Sequence, residues 1–327
     1  MRVGQNPAKL IDSVAQPQRV TVALVTYIPF LEGYYTESLD VLKVCLDSIW
    51  ENTDVPYDLL VFDNASCPDV CTFLTDAHRR GKIQYLVLSD KNLGKGGAWN
   101  FIFGGAPGEF IAYADSDVYF FPGWLSAQLK VFDEFPNLGM VTGVPMRIPQ
   151  EFSTSTIEWA ELHPEVGLAR GVLLSWDDWW RHARSLGVSS EEEGRRLYAV
   201  NEDVCLIHNN TLYFIGAAHF QFVARQQVLQ RVLPLPSQRP MGQVRSLDIA
   251  INQMGLLRLS TPDWWVQHLG NSLQGFSPVS RHVQGVSSDS QHISRPGGLW
   301  HMKPMRRLLL WAHDRTFELL YKNQEAG

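Results

Sequence analysis

The chain is poor in charge and has little excess of either sign. Of its 327 residues 19% are charged, 28 basic against 34 acidic, for a net charge of −6. That balance does not suggest a nucleic-acid partner, which requires a basic patch. Cysteine is scarce: only Cys45, Cys67, Cys71 and Cys205 occur, and no second close pair accompanies Cys67 and Cys71. A disulfide framework or zinc-finger spacing is not expected; reduced thiols in the cytoplasm are. No apolar run approaches the roughly 20 residues of a membrane span. Residues 1–18 contain no apolar stretch of the kind a secretory leader carries. Internal repeats and low-complexity tracts are lacking. G-x-G-x-x-G and G-x-x-x-x-G-K-[ST] are lacking too, which argues against dinucleotide and P-loop sites. What is present is 45% hydrophobic residues, the composition of a folded protein with one large or two smaller α/β domains.

Strand and helix patterns alternate through the first half. Val20 to Val25 is a valine-rich strand candidate, and Leu39, Leu42, Leu46 and Ile49 have helical spacing. Further strands are expected over Tyr57–Phe62, Ile83–Leu88, Phe110–Ala114 and Met140–Val144. Helices are expected over Asp69–His78, from Ala98, and after Pro122. This order predicts an α/β fold, a Rossmann-like, mostly parallel sheet flanked by helices. Residues 1–18 read as a flexible arm and 19–148 as a nucleotide-binding α/β half. Residues 149–211, rich in Trp, Glu and Arg, read as a mainly helical insertion or lid. Residues 212–275 complete the domain, and 276–327 form a C-terminal extension with a helix. Its Met305–Trp311 run mixes basic and apolar residues; packing on the main domain is favoured over peripheral contact with the inner face of a membrane.

Asp115-Ser116-Asp117 directly follows the apolar run Phe110–Ala114. Side chains alternate along a strand, so both carboxylates point to one side if the extended geometry continues. Two acids at a strand's carboxyl end repel, and a divalent cation shared with substrate phosphates relieves that repulsion. Carboxylate oxygens suit Mg²⁺ or Mn²⁺. Thr26-Tyr27 and Asp63-Asn64-Ala65-Ser66 end two other strands of the same sheet, on the same edge. Between them in sequence and Asp115 lies Asn92-Leu93-Gly94-Lys95-Gly96-Gly97-Ala98-Trp99-Asn100, where glycines permit close backbone approach and Lys95 can meet a phosphate.

Together these pieces resemble the family-2 glycosyltransferases of GT-A fold, well over residues 20–145 and in parts from Phe214 to Asn271. The resemblance implies an inverting transfer from a nucleotide-sugar donor, UDP-sugar in the first instance, to a saccharide, lipid-linked or small-molecule acceptor. Donor contacts then fall to Thr26, Tyr27, Asp63, Asn92, Lys95, Gly96, Asp115 and Ser116, with Asp63 on the base. Asp117, aided by Asp115 and by His268, holds Mn²⁺ or Mg²⁺. Asp248 sits near the start of a short helix ending at Gly255 and is implied as general base, with Glu202 and Asp203 in reserve. An acid favoured by the helix dipole explains Asp248 equally simply. His219, Trp180 and Glu202 are assigned to the acceptor or sugar side. Trp176, Trp179 and Trp180 also suit a small aromatic core. A nucleotidyltransferase is the first rival, and Tyr27–Gly33, which is not glycine-rich, argues against it. A catalytically silent sugar-binding domain is the second.

Overall fold

The computed structural model describes residues 4–200, 202–238 and 244–278. Twelve strands occur: β1 (Val20–Thr26), β2 (Tyr57–Asn64), β3 (Tyr85–Ser89), β4 (Phe110–Asp115), β5 (Val118–Phe120), β6 (Leu138–Thr142), β7 (Gly167–Gly171), β8 (Asp203–His208), β9 (Thr211–Ile215), β10 (Gln221–Arg225), β11 (Leu257–Ser260) and β12 (Val266–His268). Ten form one sheet in the order β3-β2-β1-β4-β10-β6-β11-β9-β8-β7, and β12 pairs with β5 in a small second sheet. The first four pair in parallel, and β11 runs parallel to β6. Only β10, β9 and β7 run against the rest, so the sheet is mostly parallel in direction.

Period-two burial explains why this sheet needs two helical layers. Val20, Val22 and Leu24 enter one core while Ala23 enters the other; Leu59 and Val61 part from Leu60 and Phe62 in the same way. Helices α1 (Ser38–Asn52), α2 (Pro68–Arg79) and α4 (Trp124–Glu134) cover the first face, through Leu42, Leu46, Val70, Leu74 and Trp124. Helices α3 (Gly94–Gly105), α8 (Gln226–Arg231) and α9 (Arg245–Gln253) cover the second, through Trp99, Phe103, Leu229, Leu247 and Ile251.

Two expectations change. Residues 149–211 do contain three helices, α5 (Thr154–Leu162), α6 (Trp176–Ser185) and α7 (Glu191–Val200), but also β7 and β8, which extend the main sheet. This stretch is therefore built into the sheet rather than laid over it. Beyond β4 the chain does not stay extended: Ser116 and Asp117 form a turn into β5. The two carboxylates of the D-x-D consequently meet different partners. Residues 4–19 are exposed throughout. The C-terminal helix and the Met305–Trp311 run lie outside the described residues.

Candidate active site

The carboxyl ends of β1, β2 and β4 form one edge. Thr26 and Asp63 are register partners there, and Val25 is the partner of Asp115. Asp63 is fully buried. Its Oδ2 accepts from Ser66 N at 3.1 Å, while its Oδ1 has no partner among the described residues. Thr26 Oγ1 is likewise buried without a partner. Tyr27 follows at the surface, its ring edge-on to Tyr35. The loops after β1 and β2 are tied together, with Ile28 N donating to Ser66 Oγ at 3.0 Å and Cys67 N to Ile28 O at 2.8 Å.

Lys95 reaches this edge from the first turn of α3. Its Nζ lies 2.6 Å from Asp115 Oδ2 with the side chain 9% exposed, and it sits over the rings of Trp99 and Tyr113. The Tyr113 hydroxyl donates to Asp115 Oδ1 at 2.5 Å. Burial first, then the Asp115 charge, pushes the Tyr113 phenol well above its ordinary value, so it stays a donor. Asp115 is thus held on the α3 side of the edge.

Asp117 turns the other way. Its Oδ2 lies 3.2 Å from His268 Nε2, and its Oδ1 is buried with no partner among the described residues. His268 Nδ1 is 3.0 Å from Ser185 Oγ of α6, and His182 of the same helix packs near it. Desolvation pushes the Asp117 carboxyl up, but His268 and then Lys95 outweigh it and hold the group below its ordinary value. Desolvation likewise pulls His268 down, and Asp117 more than reverses it. Burial drives His182 down to about 3, so it stays neutral. Among the described residues no three His, Cys, Asp or Glu side chains converge as a ready cation cage. Asp117 with His268 still fits Mn²⁺ or Mg²⁺: carboxylate oxygen and imidazole are acceptable ligands, and Asp117 Oδ1 is a buried acceptor with nothing to accept. A cation bound through one or two protein groups takes its remaining ligands from phosphates and water.

Asp248 is not exposed on this edge. It is 2% exposed, with Oδ1 ion-paired to the Arg258 guanidinium and Oδ2 2.8 Å from His219 Nε2. That second approach is short but does not meet hydrogen-bond geometry, so it is a close contact between the imidazole and the carboxylate. Arg258, fully buried on β11, also donates to Phe152 O and Ala217 O, each at 2.8 Å. Asp248, expected as the general base, is thus buried and paired on both oxygens. His219 is more exposed, at 22% of its side chain. It stands at the bend leading into β10, beside Trp99, and the next residue's carbonyl accepts from Asp115 N at 2.8 Å. Arg258 carried one signal in the sequence, a charge inside an otherwise apolar strand. Tyr113 and Ser185 carried none.

Residues 34–182 match the family model described as glycosyl transferase family 2. None of the curated protein sequences matches the chain. Among solved structures it is similar to the mannosyltransferase PcManGT from Pyrobaculum calidifontis in complex with GDP-Man and Mn²⁺, at 18% identity and TM-score 0.45, covering 76% of this chain and 56% of that one. It is also similar to S. aureus TarS 1-349, at 14% identity and TM-score 0.42, covering 74% and 57%. The TarS complex with UDP gives 15% identity with the same coverage and TM-score. The chain spans under three-fifths of the length of these structures.

The matched stretch contains Asp63, Lys95, Asp115 and Asp117, and stops short of His219, Asp248 and His268. Within it several expected donor contacts have partners inside the fold. Asn92 Oδ1 accepts from Gly94 N at 2.8 Å and from Asn64 Nδ2 at 3.0 Å, clamping the loop ahead of α3 to the end of β2. At Gly96 an added Cβ would run into the Pro236 carbonyl, so protein packing accounts for this glycine. Ser116 is in the turn. Trp180 stacks on Trp176 at 5.4 Å, and both cover Gly194 of α7 in a small aromatic cluster. Glu202 and Asp203 lie at the start of β8, five strands from β4, about 24 Å along the sheet at about 4.8 Å per strand. Asp203 is bound by Arg147 and by the Leu173 and Leu174 amides, and Glu202 is exposed. Neither stands near the D-x-D.

Proposed function

We propose that the chain is a glycosyltransferase that moves a sugar, with inversion, from a nucleoside diphosphate donor to an acceptor hydroxyl. One observation carries this. Thr26 Oγ1, Asp63 Oδ1 and Asp117 Oδ1, all at the edge formed by β1, β2 and β4, are buried without partners among the described residues. A buried polar atom left unsatisfied costs about 1–3 kcal/mol, so three at one edge point to a polar ligand. The imino N–H of a uracil base suits Asp63 Oδ1, and a ribose hydroxyl suits the neighbouring Thr26. UDP-sugars are therefore the first donors to test.

Lys95 and Tyr113 hold Asp115 in place, and the Lys95 charge lies within reach of the ribose–phosphate end of the donor. Asp117, with His268, would hold Mn²⁺ or Mg²⁺, which would supply Lewis-acid neutralisation of the charge developing on the diphosphate. Ser185 and His182 fix the His268 ring, so the insertion's α6 contributes to the same site. The acceptor is a hydroxyl compound, a saccharide, lipid-linked or small molecule. Four unpaired cysteines, two of them buried, support a reducing compartment such as the cytoplasm. Among the described residues no helix is long and apolar enough to cross a membrane.

Thermal unfolding with UDP, GDP and their sugar conjugates, with and without Mn²⁺, tests this. A ligand at about a hundred times its Kd adds about 2.7 kcal/mol of stability. Stabilisation that needs both nucleotide and metal is expected. Failure of every nucleotide to stabilise the protein removes the donor site and the function with it.

A further inference from the structure

Inversion requires a group that takes the proton of the attacking hydroxyl, and the acid the sequence offers for this, Asp248, is enclosed. We propose that His219 is that general base, with Asp248 and Arg258 behind it as positioning residues. This inference rests on the glycosyltransferase assignment.

The three residues are graded in exposure. The Arg258 side chain is fully buried, Asp248 is 3% exposed, and His219 is 22% exposed. Arg258 grips Oδ1 of Asp248, which leaves Oδ2 facing the imidazole at 2.8 Å. His219 Nε2 is the buried nitrogen on the Asp248 side, and Nδ1 carries no hydrogen bond among the described residues. A buried carboxylate behind an imidazole fixes its tautomer and stabilises the imidazolium that forms when it takes a proton. The position suits the task. The bend at 219–220 sends Phe220 toward His268 and His219 toward Trp99, whose ring Lys95 also covers. His219 therefore stands beside the D-x-D but off the Asp117–His268 pair where the diphosphate would be held. The charged group facing it is Asp248 from α9, with Arg258 of β11 beyond; Lys95 from α3, paired with Asp115 of β4, packs against the same Trp99 ring.

The step balances without a further reagent. The acceptor oxygen bonds to the anomeric carbon as its proton passes to His219 Nδ1. The bond from that carbon to the phosphate oxygen breaks, and its electron pair leaves with the nucleoside diphosphate.

Water can serve as acceptor, so the test needs no identified one. Nucleoside diphosphate release from UDP-glucose, UDP-galactose, UDP-N-acetylglucosamine and GDP-mannose is measured with Mn²⁺ for wild type, His219→Gln, His219→Ala and Asp248→Asn. Donor binding is followed by thermal shift. A positioned base contributes about 10²- to 10⁴-fold, so both His219 variants should lose that much turnover while keeping donor binding. Imidazole in the buffer should restore His219→Ala in proportion to its concentration, which a merely structural histidine would not permit. Asp248→Asn should lose turnover while keeping donor binding, though it carries a folding risk that His219→Gln does not share. Turnover within twofold of wild type in His219→Gln, or a loss in His219→Ala that imidazole leaves untouched, overturns His219 as base while leaving the glycosyltransferase assignment standing. No release by wild type from any donor, with no donor binding, overturns both.

Discussion

Replacing Arg258 by Met removes a buried guanidinium and strands the carboxylate it holds. Arg258 is enclosed on all sides, and its bonds go to Asp248, Phe152 O and Ala217 O. Burial pushes its guanidinium down from the ordinary value, and Asp248 pulls it back, so the two charges depend on each other. Breaking a buried pair by removing one member costs about 3–5 kcal/mol, because the remaining charge is left unpaired. Here the survivor is Asp248, with only His219 beside it. For roughly 270 folded residues the entropy of unfolding is about 0.6 kcal/mol/K, so the melting temperature should fall by about 5–8 °C. The double variant Asp248→Leu/Arg258→Met buries no charge and should melt nearer to wild type than Arg258→Met alone, although two changes have been made. Thermal unfolding followed by circular dichroism reads both. An Arg258→Met melting within about 1 °C of wild type, or a double variant as unstable as the sum of its parts, would refute the mutual dependence of these charges.

Asp117→Asn should abolish the Mn²⁺-dependent part of nucleotide stabilisation in a thermal-shift titration while leaving the metal-free melting temperature nearly unchanged. Gly96→Ala should destabilise the protein by about 1–3 kcal/mol through overpacking against Pro236, and a neutral effect in chemical denaturation would show that the 236 segment does not pack there. Trp180→Ala should lower stability through loss of the Trp176 stack yet leave nucleotide affinity unaltered by calorimetry. Glu109 is held below the ordinary carboxylate range first by its hydrogen bond from Arg19, against desolvation. Its lowered group stabilises above that range and stops doing so as pH falls through the lowered value, so the melting-temperature gap between wild type and Glu109→Gln should close on going from about pH 7 to about pH 3.

The sequence by itself determined the parallel half of the fold. Short apolar runs, interleaved with helical spacing, are a local property, and they placed β1, β2, β4, α1 and α2 within a few residues of where they lie. The D-x-D, Asp63 and Lys95 were legible for the same reason, since each follows a strand whose end the pattern marks. What only the tertiary structure decided depends on long-range pairing. The turn at Ser116–Asp117 sends Asp115 to Lys95 and Asp117 to His268, 151 positions later in the chain. Asn92, Gly96 and Trp180 look like binding residues in one dimension, yet each packs against a segment that spacing does not reveal. Asp248 lies near a helix start as expected, and its burial under Arg258 and His219 is set by distant segments. Burial is set by what the rest of the chain brings to a residue, and no local pattern encodes it.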